Sequence, residues 1–192
     1  MQSSSHPHPR SRAVACPPRN YAPLMALDLR APSHQQAMQR VVDAIWDAFN
    51  HGSVSAGTPQ HAHAVSWVGF YLPDPSDPAS MSLGPRRDKP ACSPIGLHGA
   101  CGRCHLARRP LVVADVKALG EGYIACDPRD RSELVVPILN PDGSSAGVLD
   151  FDSYDTHAFD AHDALAVMAL VRAAGLSHHL AAQENLTLVE HA

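Results

Sequence analysis

Ser132-Glu133-Leu134-Val135-Val136-Pro137-Ile138-Leu139, then the turn residues Pro141-Asp142-Gly143, then Ala146-Gly147-Val148-Leu149-Asp150-Phe151-Asp152-Ser153 is the stretch from which the fold reads. Apolar, largely β-branched residues on either side of a Pro-Asp-Gly break predict an antiparallel hairpin over 134–139 and 146–151. Asp150 and Asp152 are two residues apart in an otherwise apolar strand, so both project from one face. Glu133 stands at the start of the facing strand, where it is either a strand-end charge or a third carboxylate beside these two. Three converging carboxylates cannot all ionise cheaply, so at least one should keep a raised pKa and serve as an acid. The anionic ones could bind an ammonium group.

Working outward, Ala64–Leu72 reads as a second strand, rich in Val, Trp, Phe and Tyr, in which Trp67 and Tyr71 share a face. Pro73 to Pro78 is a turn, and Met81-Ser82-Leu83 begins the return strand. Gly84 to Gly99 reads as irregular, Ala100–Arg109 as a short helix and Leu111–Val113 as a brief strand. Gly120 and Gly122 mark a loop that delivers Cys126. Ser33 N-caps a helix, with Gln36 three residues on. Met38, Val41, Val42, Ile45, Trp46 and Phe49 make one apolar stripe before Asn50-His51-Gly52 stops it. A last helix begins at Asp160, with Asp163 at its third position. Antiparallel hairpins between terminal helices predict an α+β fold.

The 192 residues are 45% hydrophobic and 18% charged, enough for one domain with a core. Residues 1–30, rich in Pro, Ser and His, read as a flexible tail. Residues 31–183 read as the domain, and 184–192 as a short C-terminal tail. The net charge is −4; residues 1–27 hold three arginines and no acid, so the remainder carries −7. That excludes a nucleic-acid footprint and suits a pocket for an amino group. No apolar run is long enough to span a membrane and no signal-like segment opens the chain, so a cytoplasmic location is expected. Five cysteines in a reducing compartment are then reactive, metal-binding or buried rather than a disulfide scaffold. Cys16 reads as incidental, His6 and His8 as a solvated repeat. His61 and His63 lack a third ligand, so no metal is expected.

Cys92, Cys101 and Cys126 among these carboxylates suit chemistry in which sulfur attacks, oxygen is protonated and a second thiol resolves the product. A thiol with an ordinary pKa of about 8.5 must have that value lowered or bypassed to do so.

Ser66-Trp67-Val68-Gly69-Phe70-Tyr71-Leu72, Leu83-Gly84-Pro85, Pro90-Ala91-Cys92, Cys101-Gly102, Ile124-Ala125-Cys126-Asp127, Ser132-Glu133 and Gly147–Ser153 together resemble the free methionine-(R)-sulfoxide reductases, which use a GAF-type domain. The resemblance covers roughly residues 33–180. It implies a GAF-like central antiparallel sheet of about six strands with flanking N- and C-terminal helices. By position it implies Cys126 as the attacking cysteine, Cys92 as the resolver and Cys101 as a recycling cysteine. It also implies Trp67 and Tyr71 as an aromatic wall, and Glu133, Asp150 and Asp152 as the pocket's carboxylates, with Glu133 and Asp152 as acid candidates. The activity implied is thioredoxin-dependent reduction of free L-methionine (R)-S-oxide, an oxidoreductase reaction of oxidative-stress repair through a sulfenic acid and a redox-active disulfide. The implied partners are free methionine sulfoxide, thioredoxin or another dithiol, and a second copy of the chain in a homodimer. No bound cofactor, nucleic acid or membrane is expected. Departures are Tyr123 where a histidine is common, Arg86-Arg87 where Phe-Gln is usual, and one-residue length changes in two loops.

Two other readings compete. Cys101-Gly102-Arg103-Cys104-His105 matches the c-type haem attachment pattern, and Cys101 with Cys104 a redox dithiol. A non-catalytic GAF sensor holding a small molecule such as an amino acid would need neither Cys126 nor Cys92.

Overall fold

In the computed structural model, which describes residues 19–51, 65–120, 126–178 and 187–189, the hairpin is the middle of the sheet. Strand β5 (Ser132–Leu139) pairs antiparallel with β6 (Ser145–Ser153), turning through Asn140–Ser144. Gly143 takes φ +79° in that turn, a left-handed conformation that glycine adopts without strain. On the other side of β6 lies β1 (Trp67–Pro73), followed by β2 (Ser80–Arg87) and β3 (Ile95–Gly96). Beyond β5 come β4 (Leu111–Val113) and β7 (Thr187–Val189). Six strands are antiparallel neighbours, as expected, and β7 is added parallel to β4.

Period two then sorts the side chains. Val68 and Phe70 of β1, Leu134, Val136 and Ile138 of β5, and Leu149 and Phe151 of β6 turn to one face. There they meet helices α2 (His34–Asn50) and α4 (Ala161–Ala173) and the short α1 (Ala22–Met25). In α2, Ala37, Val41, Val42, Ile45, Ala48 and Phe49 are buried at helical spacing, and the Ser33 hydroxyl accepts from the Gln36 amide at 3.3 Å. In α4, Asp160 and Asp163 cap each other reciprocally. Phe70, Phe151 and Leu149 are wholly buried, each contributing roughly 1.5–3 kcal/mol by leaving water. The opposite face carries Trp67, Tyr71, Val135 and Val148 and is covered by α3 (Ala100–Ala107) and the chain before it.

Three sequence expectations change. Residues 19–30, assigned to a flexible tail, pack on the domain. Leu24 and Tyr21 are buried, the Tyr21 hydroxyl donates to Asp163 Oδ1 at 2.7 Å, and Arg19 Nη1 to Asp163 Oδ2 at 2.6 Å. The signal is a few apolar residues among prolines, and their partner lies more than 140 positions away. Gly84–Gly99, read as irregular, contributes the end of β2 and all of β3. Within 184–192, Thr187–Val189 forms main-chain ladder bonds to β4, which no composition signals. Among the described residues no helix is long and apolar enough to cross a membrane. Cys16, His6, His8, His61, His63, Gly122 and Tyr123 lie outside the described residues.

Candidate active site

The strand register builds the site. Trp67 stands opposite Asp152, and Asp152 opposite Glu133, so one row across β1, β6 and β5 carries a ring and two carboxyls. The next row is Gly69, Asp150 and Val135; the one after it sets Tyr71 beside Val148. Cross-strand neighbours of this kind lie about 4.5–5.5 Å apart at Cβ, close enough for the three carboxyls to interact. Gly69 is required: a Cβ there would come within 2.4 Å of the Trp67 ring, which lies across it toward Tyr71. The two rings are 5.9 Å apart between centroids.

Helix α3 closes the row from above. At Gly102 an added Cβ would come within 2.2 Å of the Leu97 backbone, so only glycine allows α3 to lie this close to the β3–α3 chain. That contact sets Cys101 over β6, where its thiol donates to Asp150 Oδ2 at 3.2 Å. The result is a cavity of about 70 Å³ lined by Trp67, Tyr71, Cys101, Cys126, Glu133, Asp150 and Asp152, with Gly99 and Ala100 at the start of α3.

Seven of the eight residues singled out from the sequence thus line one cavity. The eighth, Cys92, sits at its edge, within hydrogen-bond reach of the Cys126 sulfur. Cys92 and Cys126 are exposed; Cys101 and Cys104 are buried. Cys104 does not line the cavity. Its sulfur points to the Val135 carbonyl at 3.6 Å, and His105 Nδ1 is engaged with the Ser145 hydroxyl at 2.8 Å. Cys104 and His105 therefore pack α3 on the sheet, while Cys101 faces the cavity.

Burial dominates the electrostatics. It raises the Asp150 carboxyl to about 7, against hydrogen bonds from Cys101 and Glu133 that pull it down. Asp152 is pushed well above the carboxylate range, first by desolvation and then by Asp150 and Glu133. Desolvation, with the Cys92 sulfur adjacent, pushes the Cys126 thiol up to about 12. Asp150 Oδ1 is buried without a hydrogen-bond partner, on a carboxyl that lines the cavity. Cys101, Glu133 and Asp150 also bring ligand atoms within 4.8 Å of one another, a set able to hold a metal ion that the sequence reading did not anticipate.

The Asp150 shift makes a stability prediction. Below its unfolded value of 3.8, both states are protonated and the buried carboxyl costs nothing. As pH rises from there to about 7, the unfolded chain ionises first, so stability falls, and the loss levels off above about 7. Asparagine keeps the acceptor for Cys101 and removes the charge. At about 1.4 kcal/mol per unit, Asp150→Asn should stabilise the protein by roughly 2–4 kcal/mol at pH 8 and hardly at all at pH 3.5. Thermal unfolding at the two pH values checks this; an equal shift at both would refute it.

Sequence reasoning missed Lys89, Arg129 and Tyr154 and gave Asp127 no role. Lys89 Nζ lies 2.6 Å from Asp127 Oδ2, beside both exposed cysteines. The proximity of Lys89 to Cys92 and of Asp127 to Cys126 in the chain was the only available hint.

A family profile described as a GAF domain matches residues 31–177. The chain is 36% identical over 117 residues to the free methionine-R-sulfoxide reductase of Saccharomyces cerevisiae, a match covering 60% of this chain and 59% of that protein. It thus spans about three fifths of the length of that curated relative. Among solved structures, the substrate complex of fRMsr of Staphylococcus aureus is 30% identical with a TM-score of 0.65, covering 83% of this chain and 96% of the other. Free methionine-R-sulfoxide reductase from Neisseria meningitidis in complex with its substrate is 32% identical with a TM-score of 0.54, covering 78% and 92%.

Proposed function

The chain belongs to the GAF domain family and, within it, to the free methionine-R-sulfoxide reductases, and from that membership we propose that it reduces free methionine-(R)-sulfoxide to methionine. The observation that carries the reading is Cys126, with the Cys92 sulfur beside it, at a cavity walled by two aromatic rings and floored by three carboxyls. The cavity complements a zwitterion. Asp150, with its unpartnered oxygen, and Glu133 face the ammonium. The first turn of α3, whose N-cap Gly99 offers no capping side chain, favours the carboxylate. Trp67 and Tyr71 pack on the thioether and methyl end.

In the first half-reaction the Cys126 sulfur attacks the sulfoxide sulfur while Asp152, its pKa raised by desolvation and by Asp150 and Glu133, protonates the oxygen. The Cys126 thiol loses its proton to solvent at the exposed mouth. Oxygen passes to Cys126 and methionine leaves: Cys126 gives up two electrons to become the sulfenic acid, and those two electrons reduce the sulfoxide to the thioether. In the second half, the Cys92 thiol bonds to the Cys126 sulfur and water departs. Thioredoxin or another dithiol then exchanges with the Cys92–Cys126 disulfide and restores both thiols, Cys101 assisting this recycling. A cytoplasmic setting, where such reductants act, and a homodimer belong to the same proposal.

Specificity for the free amino acid is the test. With dithiothreitol present, free methionine sulfoxide should yield methionine, separable by chromatography. Sulfoxide inside an unfolded protein should react roughly 10²-fold more slowly, because its amide nitrogen leaves a buried carboxylate unpaired. Equal rates on the two substrates would overturn the proposal.

A further inference from the structure

Cys92 and Cys126 come from different loops, and no strand pairing joins them. Besides the hydrogen bonds between the two cysteines, a cluster of charge joins their loops. Lys89, three residues before Cys92, donates to Asp127 Oδ2 at 2.6 Å and to the Tyr154 hydroxyl at 2.7 Å. Tyr154 donates in turn to the same Asp127 oxygen at 3.0 Å. Arg129 holds Asp127 with both its Nε, at 3.0 Å, and its Nη2, at 2.7 Å. The Lys89 and Arg129 cations stand 5.2 and 4.6 Å from the centre of the Tyr154 ring. Asp127 immediately follows Cys126, and its carboxylate is pulled well below its usual range, chiefly by Arg129 and then by Lys89.

The Cys92 loop is also pinned by its main chain. Trp67 Nε1 donates to the Lys89 carbonyl at 3.0 Å, and the Tyr71 hydroxyl to the Cys92 carbonyl at 2.8 Å. These bonds fix the loop to the aromatic wall. Beside the hydrogen bonds that Cys92 itself makes to the Cys126 sulfur, the Lys89–Asp127 ion pair ties it to the loop carrying Cys126. The Asp127 side chain is 14% exposed and accepts from three side chains, so the pair is a shielded network rather than an isolated surface bridge.

We infer that Lys89 and Asp127 form an ionic clasp, braced by Tyr154 and Arg129, that holds the Cys92 thiol at the Cys126 sulfur and so sets the rate of disulfide formation. They are positioning residues: neither touches the reacting sulfur of the substrate in the scheme above, on which this inference rests. The physical basis is effective concentration. Condensation of a sulfenic acid with a thiol on another loop depends on how much of the time the two sulfurs are within reach. The methionine-forming half does not use Cys92 and should be insensitive to the clasp.

The test is single turnover with pre-reduced enzyme and no added reductant, comparing Lys89→Met, Asp127→Asn and Lys89→Arg with the wild type. Methionine release is followed by chromatography, the Cys126 sulfenic acid by trapping with a cyclic 1,3-diketone, and disulfide formation by loss of free thiols. Lys89→Met and Asp127→Asn should release methionine within about threefold of the wild-type rate, while disulfide formation slows roughly tenfold or more and the trapped adduct accumulates. Lys89→Arg, which keeps the charge, should recover most of the rate. A second measurement needs no substrate: the equilibrium of the Cys92–Cys126 disulfide with a glutathione buffer should shift toward thiols roughly tenfold in the first two variants. Wild-type disulfide kinetics and equilibrium in both would overturn the clasp. So would methionine release slowed as much as disulfide formation. Failure of wild-type enzyme to release methionine would instead strike at the proposed activity, while the glutathione equilibrium still judges the clasp.

Discussion

Cys126→Ser is expected to release no methionine even in a single turnover, a loss on the order of 10⁶-fold if any rate is seen at all. Serine preserves the shape but presents a hydroxyl that stays protonated and is a far poorer nucleophile. Desolvation pushes the Cys126 thiol up to about 12, so the proposed reaction would rely on sulfur's nucleophilicity and on protonation of the sulfoxide rather than on a standing thiolate. Cys92→Ser separates the halves: it should release about one equivalent of methionine and stop, the sulfenic acid on Cys126 lacking its resolver. The measurement is methionine released per enzyme, with peptide mapping of the oxidised protein. A Cys92–Cys126 linkage is the expected map. Cys104, with its sulfur turned to the Val135 carbonyl, should appear as a free thiol. Methionine formation by Cys126→Ser, or a Cys101–Cys104 linkage without Cys126, would overturn the scheme.

Asp152→Asn should slow sulfenic acid formation by roughly 10²–10⁴-fold, the range for loss of a positioned acid. The amide fills the same place opposite Trp67 and Glu133 but cannot release a proton to the departing oxygen. The sign of the pH dependence follows from the raised pKa of Asp152. The acid works while protonated, so the wild-type rate should fall as pH rises through the raised Asp152 pKa. Asp152→Asn should lose that limb of the profile along with most of its rate. Glu133 is tied to Asp150 by a hydrogen bond, so Glu133→Gln is expected to weaken binding more than chemistry. A near-wild-type single-turnover rate in Asp152→Asn would remove Asp152 from the acid's role.

The hairpin, its Pro141-Asp142-Gly143 turn, the caps at Ser33 and Asp160 and the apolar stripe of α2 were readable because each is local: period, turn chemistry and capping act within a few residues. The facing of Asp150 and Asp152 was readable for the same reason, since alternation in a strand is obligatory. What period two could not supply is which residue of another strand stands opposite. That Trp67 meets Asp152, and Asp152 meets Glu133, is a matter of register. Register follows from burying the whole of one face, because a slip by one residue would turn every core side chain outward.

By itself, then, the sequence determined the elements, their faces and the chemical types gathered around Cys126. The tertiary structure decided that Cys126 would meet Cys92 and that Cys104 would be turned away. It also paired Lys89 with Asp127 and recruited Arg19 and Tyr21 to Asp163. Those partners lie from 34 to 144 positions apart, or on one helix with different sides buried. Charge and sulfur carry no periodic signature, so the pairing of such groups is set only when the sheet and α3 bring their loops together.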